Sequence, residues 1–171
     1  QLKNRNPDTP VEQLKQHLLE EALESDFVLD LHCDDTALLH LYTTPACWPV
    51  LADLAGHLRA ELVLLKSVSL GHPFDEACSR PWSDLVNQYP SHQILQGCHA
   101  ATIELRGGRE VDHSLASADA ANLVRFLQRR EAVSGNPGPS PKLLRPARPL
   151  SGMEQIRAPV SGIAVYLKQP G

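Results

Sequence analysis

The sequence predicts an α/β fold, and three observations carry that expectation. First, Val11, Leu14, Leu18 and Ala22 recur at helical spacing, with Leu19 and Leu23 widening the stripe. Second, that stripe runs directly into the short apolar stretch Phe27-Val28-Leu29, which reads as a buried strand, and helix followed by strand is half of an α/β unit. Third, strand-like runs at Leu62–Leu65 and Ala100–Leu105 alternate with further helical stripes.

Composition sets the outer bounds. A chain of 171 residues holds one domain and part of another. Hydrophobic content of 42% and charged content of 21% describe an ordinary globular protein. A formal net charge of −4 and the lack of a Lys/Arg stripe argue against a nucleic-acid partner. No apolar run is long enough to span a membrane, and no signal peptide is legible, so no membrane role is expected. Cys33, Cys47, Cys78 and Cys98 form no C-x-x-C pair, which argues against a zinc knuckle. Free thiols in a reducing cytosol are expected, hence a cytoplasmic setting.

Each element has a local reason. Thr9-Pro10-Val11-Glu12 is a helix start: Thr9 caps, Pro10 suits the first helical position and Glu12 closes a capping box. This helix ends near Ser25, before the strand from Phe27 to Asp35. Ala37–Tyr42 reads as a second strand and Thr43-Thr44-Pro45 as a turn. Pro49 opens a helix with Val50, Leu51, Leu54 and Leu58 on its buried face. The stretch Ser67–Gln96 mixes turn formers with charge and is expected to be a lid or specificity loop, packed down by a short helix around Trp82, Leu85 and Val86. Ser117 is the expected cap of a helix whose stripe is Ala120, Leu123, Val124 and Leu127, with Arg129 and Arg130 at its carboxyl end. Prolines and glycines from 134 to 150 then mark a linker or an extended edge segment.

Chemistry concentrates in two places. Asp30 and His32 are two residues apart in a strand, so they share a face, and Asp34 continues it. Ligands gather at the carboxyl ends of strands in open α/β sheets. A His there, flanked by carboxylates, suits a divalent metal such as zinc, or is simply satisfied by a local hydrogen bond. Cys33 points to the opposite face and is expected to be a packing residue. His40 is expected to be a partly exposed residue on a strand face, and His113 a solvated loop residue. The second place is Ala100–Gly108, where Glu104 ends an apolar strand and is suited to act as general base and then general acid. Arg106 follows two residues later, sharing that face while strand geometry lasts, to bind substrate or to pair with a carboxylate. Arg80 offers a guanidinium fork for a substrate carboxylate, or is a surface residue.

Val28-Leu29-Asp30-Leu31-His32-Cys33-Asp34 resembles the D-L-H segment of the succinylglutamate desuccinylase/aspartoacylase family, and Thr102-Ile103-Glu104-Leu105 resembles its T-I-E-L region. The resemblance covers most of the chain from about Val11. It implies a zinc carboxypeptidase-like mixed sheet flanked by helices, followed by the start of a small β module. It implies Zn2+ as cofactor, His32 as a zinc ligand and Glu104 as the residue that activates the zinc-bound water. Asp30 would then orient a zinc-binding imidazole. The implied activity is hydrolysis of the amide bond of a small N-acyl amino acid-like substrate. The alternatives are a zinc carboxypeptidase-like peptidase and a non-catalytic binding domain that keeps the fold. The family's upstream H-x-x-E motif does not precede His32, and Gln1–Pro10 does not read as a natural start, so a fragment of a longer enzyme is expected. Asn4-Arg5-Asn6 is similar to the family's N-R motif but lies too near the D-L-H segment for that role. The expected organisation is 1–133 as the C-terminal part of the catalytic domain, 134–150 as a proline-rich linker and 151–171 as the start of a truncated β domain. In that last part, Ala158-Pro159 and the run to Tyr166 resemble a biotinyl/lipoyl-type hairpin, without the lysine context of a swinging arm.

Overall fold

The structure, a computed structural model, describes residues 9–67, 73–163 and 165. Its framework is a mixed five-stranded sheet in the order β1-β4-β2-β3-β5. The strands are β1 (Phe27–Asp34), β2 (His40–Thr43), β3 (Leu62–Leu65), β4 (His99–Gly107) and β5 (Arg148–Pro149). β4 pairs with β1 in parallel and with β2 antiparallel, while β3 runs parallel to both β2 and β5. Helices cover both faces. α2 (Trp48–Leu58) and α4 (His113–Arg129) lie on one, and α1 (Pro10–Leu23) and α3 (Phe74–Gln88) on the other.

The larger core fills the α2/α4 side. Leu41, Ile103 and Ala101 of the sheet meet Leu51 and Leu54 of α2 and Phe126 of α4, all essentially inaccessible. The smaller core joins Ala22 of α1 and Cys78 of α3 to Ala100 of β4 and to Cys98 just before it. Burial pushes the Cys78 thiol up to about 12 and the Cys98 thiol up to about 11, so neither is a thiolate at neutral pH. All four cysteines are free.

α1 begins as the local chemistry requires. The Thr9 hydroxyl accepts from the Glu12 N–H at 3.2 Å, and the Glu12 carboxylate accepts from the Thr9 N–H at 3.1 Å. Its apolar stripe, however, is not buried: Ala22 is the one buried residue of the helix, and Val11 and Leu14 are 61% and 57% exposed. Among the described residues α1 packs on α3 and reaches the sheet only at its carboxyl-terminal end.

β1 also departs from expectation. It is an edge strand rather than a strand covered on both faces, half-buried over Phe27–Asp30 and exposed from Leu31 onward. Cys33 lies in that overhang and is exposed, not packed. His40, expected to be partly exposed, is buried.

The expected loop from Ser67 is largely the helix α3, with 68–72 outside the described residues. Pro81 and the charges disguised it. Asp75 and Glu76 in its first turn favour the positive helix end, and buried Cys78 and Ser79 anchor it to the sheet. The chain returns to β4 through Gln96, which donates to the carbonyls of Ser79 and Cys98 at 2.8 and 2.9 Å. A Cβ on Gly97 would stand 2.6 Å from the Trp82 ring, so only glycine fits there.

α4 starts earlier than expected. Asp112, not Ser117, is its cap, accepting from the N–H groups of Ser114 and Leu115 at 2.8 and 3.1 Å. Its buried residues are Asp119 and Phe126, and Val124 of the expected stripe is exposed. Arg130 ties α4 to α2, pairing with Asp53 at 2.7 Å and donating to the Val50 carbonyl. The proline-rich segment lies against this body: Arg148 and Pro149 pair with β3, and Ala147 packs on the core. The described residues after Gly152 form neither helix nor strand. Asn4-Arg5-Asn6 and Tyr166 lie outside the described residues. No described helix is long and apolar enough to cross a membrane.

His99 lies on the α2/α4 side, stacked on Phe27 with ring centroids 5.9 Å apart. Burial, then the charge of Arg130, lowers its pKa below the usual 6.5. The unfolded chain therefore takes up a proton that the folded one resists, and stability falls as pH drops below 6.5. In urea unfolding, His99→Gln should flatten this loss between roughly pH 6.5 and 5. An unchanged slope would show that another group carries it.

Candidate active site

The register of β4 builds the site. His32 on β1 stands opposite Glu104, and Asp30 stands opposite Thr102. On the other side, β2 places His40 opposite Glu104 and Tyr42 opposite Thr102. Side chains directly opposite each other point to the same face, so all six share the α1/α3 face. Glu104 thus sits in a row between two histidines, at the carboxyl end of two parallel strands.

Each member of the row has a distinct setting. Glu104 is half-buried, and its Oε2 is buried without a hydrogen-bond partner among the described residues. His32 is 49% exposed at its side chain, and its Nε2 lies 2.9 Å from Asp30 Oδ2. Donation from Nε2–H to Asp30 leaves Nδ1 as the basic nitrogen, the tautomer control that ligating histidines need. His40 is buried, with Nδ1 2.8 Å from the Leu38 carbonyl and its ring edge-on to Tyr42 at 5.2 Å. Tyr42 has its pKa raised, first by burial and then by the negative charges of Glu104 and Asp34.

A second polar layer lies beneath this row, and the sequence reading missed it. Lys66, just past β3, holds its ammonium 5.1 Å from the Tyr42 ring centre and 3.6 Å from Glu76 Oε1. Asp75 beside it is fully buried, and that burial raises its pKa against the opposing charge of Lys66. The available signal was the acidic pair Asp75-Glu76 two residues after Pro73, which marks a helix start rather than a loop.

The two arginines have different fates. Arg106 does not share the face of Glu104. The β1–β4 register shifts between His32 and Asp34, and Arg106 takes a φ of 103° there. This irregularity turns its side chain towards α4, where its fork grips Asp119 at 2.6 and 3.2 Å. That hydrogen bond raises the Arg106 pKa further. Arg80 stands on α3, 40% exposed at its side chain, with Nε 3.6 Å from Asp84. His113 opens α4 rather than lying in a loop, and it is exposed.

His32 is fit to be one zinc ligand through Nδ1. A catalytic zinc takes three protein ligands, and among the described residues no group of three or more His, Cys, Asp or Glu side chains is gathered to hold an ion. The donor set within the described residues is therefore incomplete.

The described residues form an open α/β domain with a row of polar side chains at its strand ends. The chain is similar to solved structures of the succinylglutamate desuccinylase/aspartoacylase family. One, from Shewanella frigidimarina NCIMB 400, is 25% identical with a TM-score of 0.72, over 86% of this chain and 39% of that one. Another, from Shewanella amazonensis SB2B, is 24% identical with a TM-score of 0.70, over 96% of this chain and 51% of that one. A third, from Rhodobacter sphaeroides, shares the fold at 14% identity and a TM-score of 0.51. The chain spans about half or less of the length of these structures. No family model and no curated protein matches the sequence.

Arg106 pairing with Asp119 has a measurable consequence. Arg106→Lys keeps the charge and loses the two-pronged grip, so it should destabilise the fold by about 1–2 kcal/mol. A denaturant midpoint equal to that of the unaltered protein would mean that Asp119 does not hold Arg106 in solution.

Proposed function

We propose that this chain is part of a zinc-dependent deacylase that cleaves the amide bond of a small N-acyl amino acid. Glu104 is its proton-transfer carboxylate and His32 one of its metal ligands. The observation that carries the reading is the placement of His32 opposite Glu104 on neighbouring parallel strands. The similarity to the Shewanella structures supports it.

Zinc bound there would supply Lewis acidity and an activated water. The residues of this chain do the rest. Glu104, whose buried Oε2 has no hydrogen-bond partner among the described residues, takes a proton from water and passes it to the leaving amine. Asp30 holds the His32 imidazole with Nδ1 free for the metal. Arg80 is the available fork for a substrate carboxylate. Its pairing with Asp84 is exposed and costs little to break, whereas Arg106 is committed to Asp119.

The test uses the polypeptide that supplies the remaining ligands. Glu104→Gln should lower turnover by roughly 10²–10⁴-fold while zinc stoichiometry is kept. His32→Ala should lose both turnover and zinc. Full turnover in Glu104→Gln, or unchanged zinc content in His32→Ala, refutes the corresponding role.

A further inference from the structure

On the opposite side of the sheet from His32 and Glu104, the proline-rich segment arches over α2 and α4 and leaves a hollow of about 460 Å³. The arch is built, not loosely draped. A Cβ on Gly56 would stand 2.9 Å from the Pro141 ring, so the segment rests directly on α2. Gly138 adopts a φ of 72°, and its carbonyl accepts from Arg129 Nη2 at 2.8 Å. Its N–H is held by Asn136 Oδ1 at 2.9 Å.

The hollow is basic. Arg125 lines it and is bonded to Asn122, at 2.9 Å, with no carboxylate partner among the described residues. Arg129 reaches its wall, donating from Nε to His57 Nε2 at 3.3 Å, and it too has no carboxylate partner among the described residues. Asp53, the nearest acid on α2, is taken up by Arg130. None of the described lining residues is acidic. His57 is buried, and because Nε2 accepts from Arg129, its proton sits on Nδ1. Two cations converge on the hollow.

We propose that this hollow is a binding site for a phosphate-type oxyanion. The charge of a phosphate dianion offsets Arg125 and Arg129 together, and guanidinium forks match its oxygens. Ser140 and His57 also line the hollow, and each carries a neutral donor group. Pro137, Pro139 and Pro141 give the rest of the wall an apolar character, leaving space for the organic part of a phosphate ester.

His57 reports on occupancy. In the free protein its pKa is lowered by burial, then by Arg129 and Arg125, against the raising effect of Asp53. The proline segment contributes no charged side chain between Asn136 and Pro141. A bound dianion reverses the local field, so His57 must take up its proton at higher pH when the site is filled.

The experiment is a titration of the chain with inorganic phosphate, followed by NMR of the His57 ring, with chloride at matched ionic strength as reference. Phosphate should give a saturable shift and raise the His57 pKa, while chloride should not. Arg125→Gln, an exposed change that leaves the fold intact, should weaken phosphate binding about fivefold or more. Gly56→Ala, which pushes Pro141 off α2, should weaken it as well. Equal responses to phosphate and chloride, or unaltered phosphate affinity in Arg125→Gln, overturn the proposal.

Discussion

Everything at the candidate site depends on the register of β4. This strand is paired on both edges, parallel to β1 and antiparallel to β2, and a slip of one residue on either side would turn a polar row into the core. Packing fixes the register from both faces. Ala101 and Ile103 are locked among α2 and α4 residues, and Ala100 and Cys98 against α1 and α3. The Thr43 hydroxyl adds a buried bond to the Ala100 carbonyl at 2.8 Å. Small residues in β4 matter here, because Ala100 and Ala101 let helices approach both faces closely. The row of His32, Glu104 and His40 is the polar continuation of that packed ladder.

The same strand shows how one irregularity sorts charge. Up to Glu104 the alternation of a regular strand holds, and carboxylates fall on the α1/α3 face. At Arg106 the positive φ breaks the alternation, and its guanidinium joins Asp119 on the α4 side. A non-glycine residue in that region of backbone space is strained, and the two-pronged ion pair offsets that cost. That face carries Asp30 and Glu104 in the row, with Asp75 and Glu76 beside Lys66 beneath it, and on the far side Arg125 and Arg129 stand without carboxylate partners among the described residues.

Burial of charge follows the same division. Asp75 is fully buried next to Lys66 and Glu76, and such a cluster specifies one arrangement more than it stabilises the fold. It fixes Lys66 beside Tyr42, and Tyr42 in turn stands between His40 and the lysine. The polar residues under the row therefore hold the aromatic wall next to Glu104. On the other side burial and nearby arginines lower the pKa values of His57 and His99.

The sequence by itself determined what depends on near neighbours. The reciprocal bonds of Thr9 and Glu12 close within one helical turn, so the start of α1 was legible, as were the strands at Phe27, Leu62 and His99 and the helix after Pro49. The Asp30-x-His32 and Glu104 segments were legible for the same reason, since alternation within a strand assigns faces. Only the tertiary structure decided the rest. It placed β1 at an edge, buried His40, exposed the stripe of α1 and turned the supposed loop after Pro73 into α3. It also opposed Glu104 to two histidines, committed Arg106 to Asp119 and folded the proline segment onto α2 and α4. These outcomes rest on partners distant in sequence, such as Thr43 and Ala100, 57 positions apart. Local propensity does not encode which distant groups will meet.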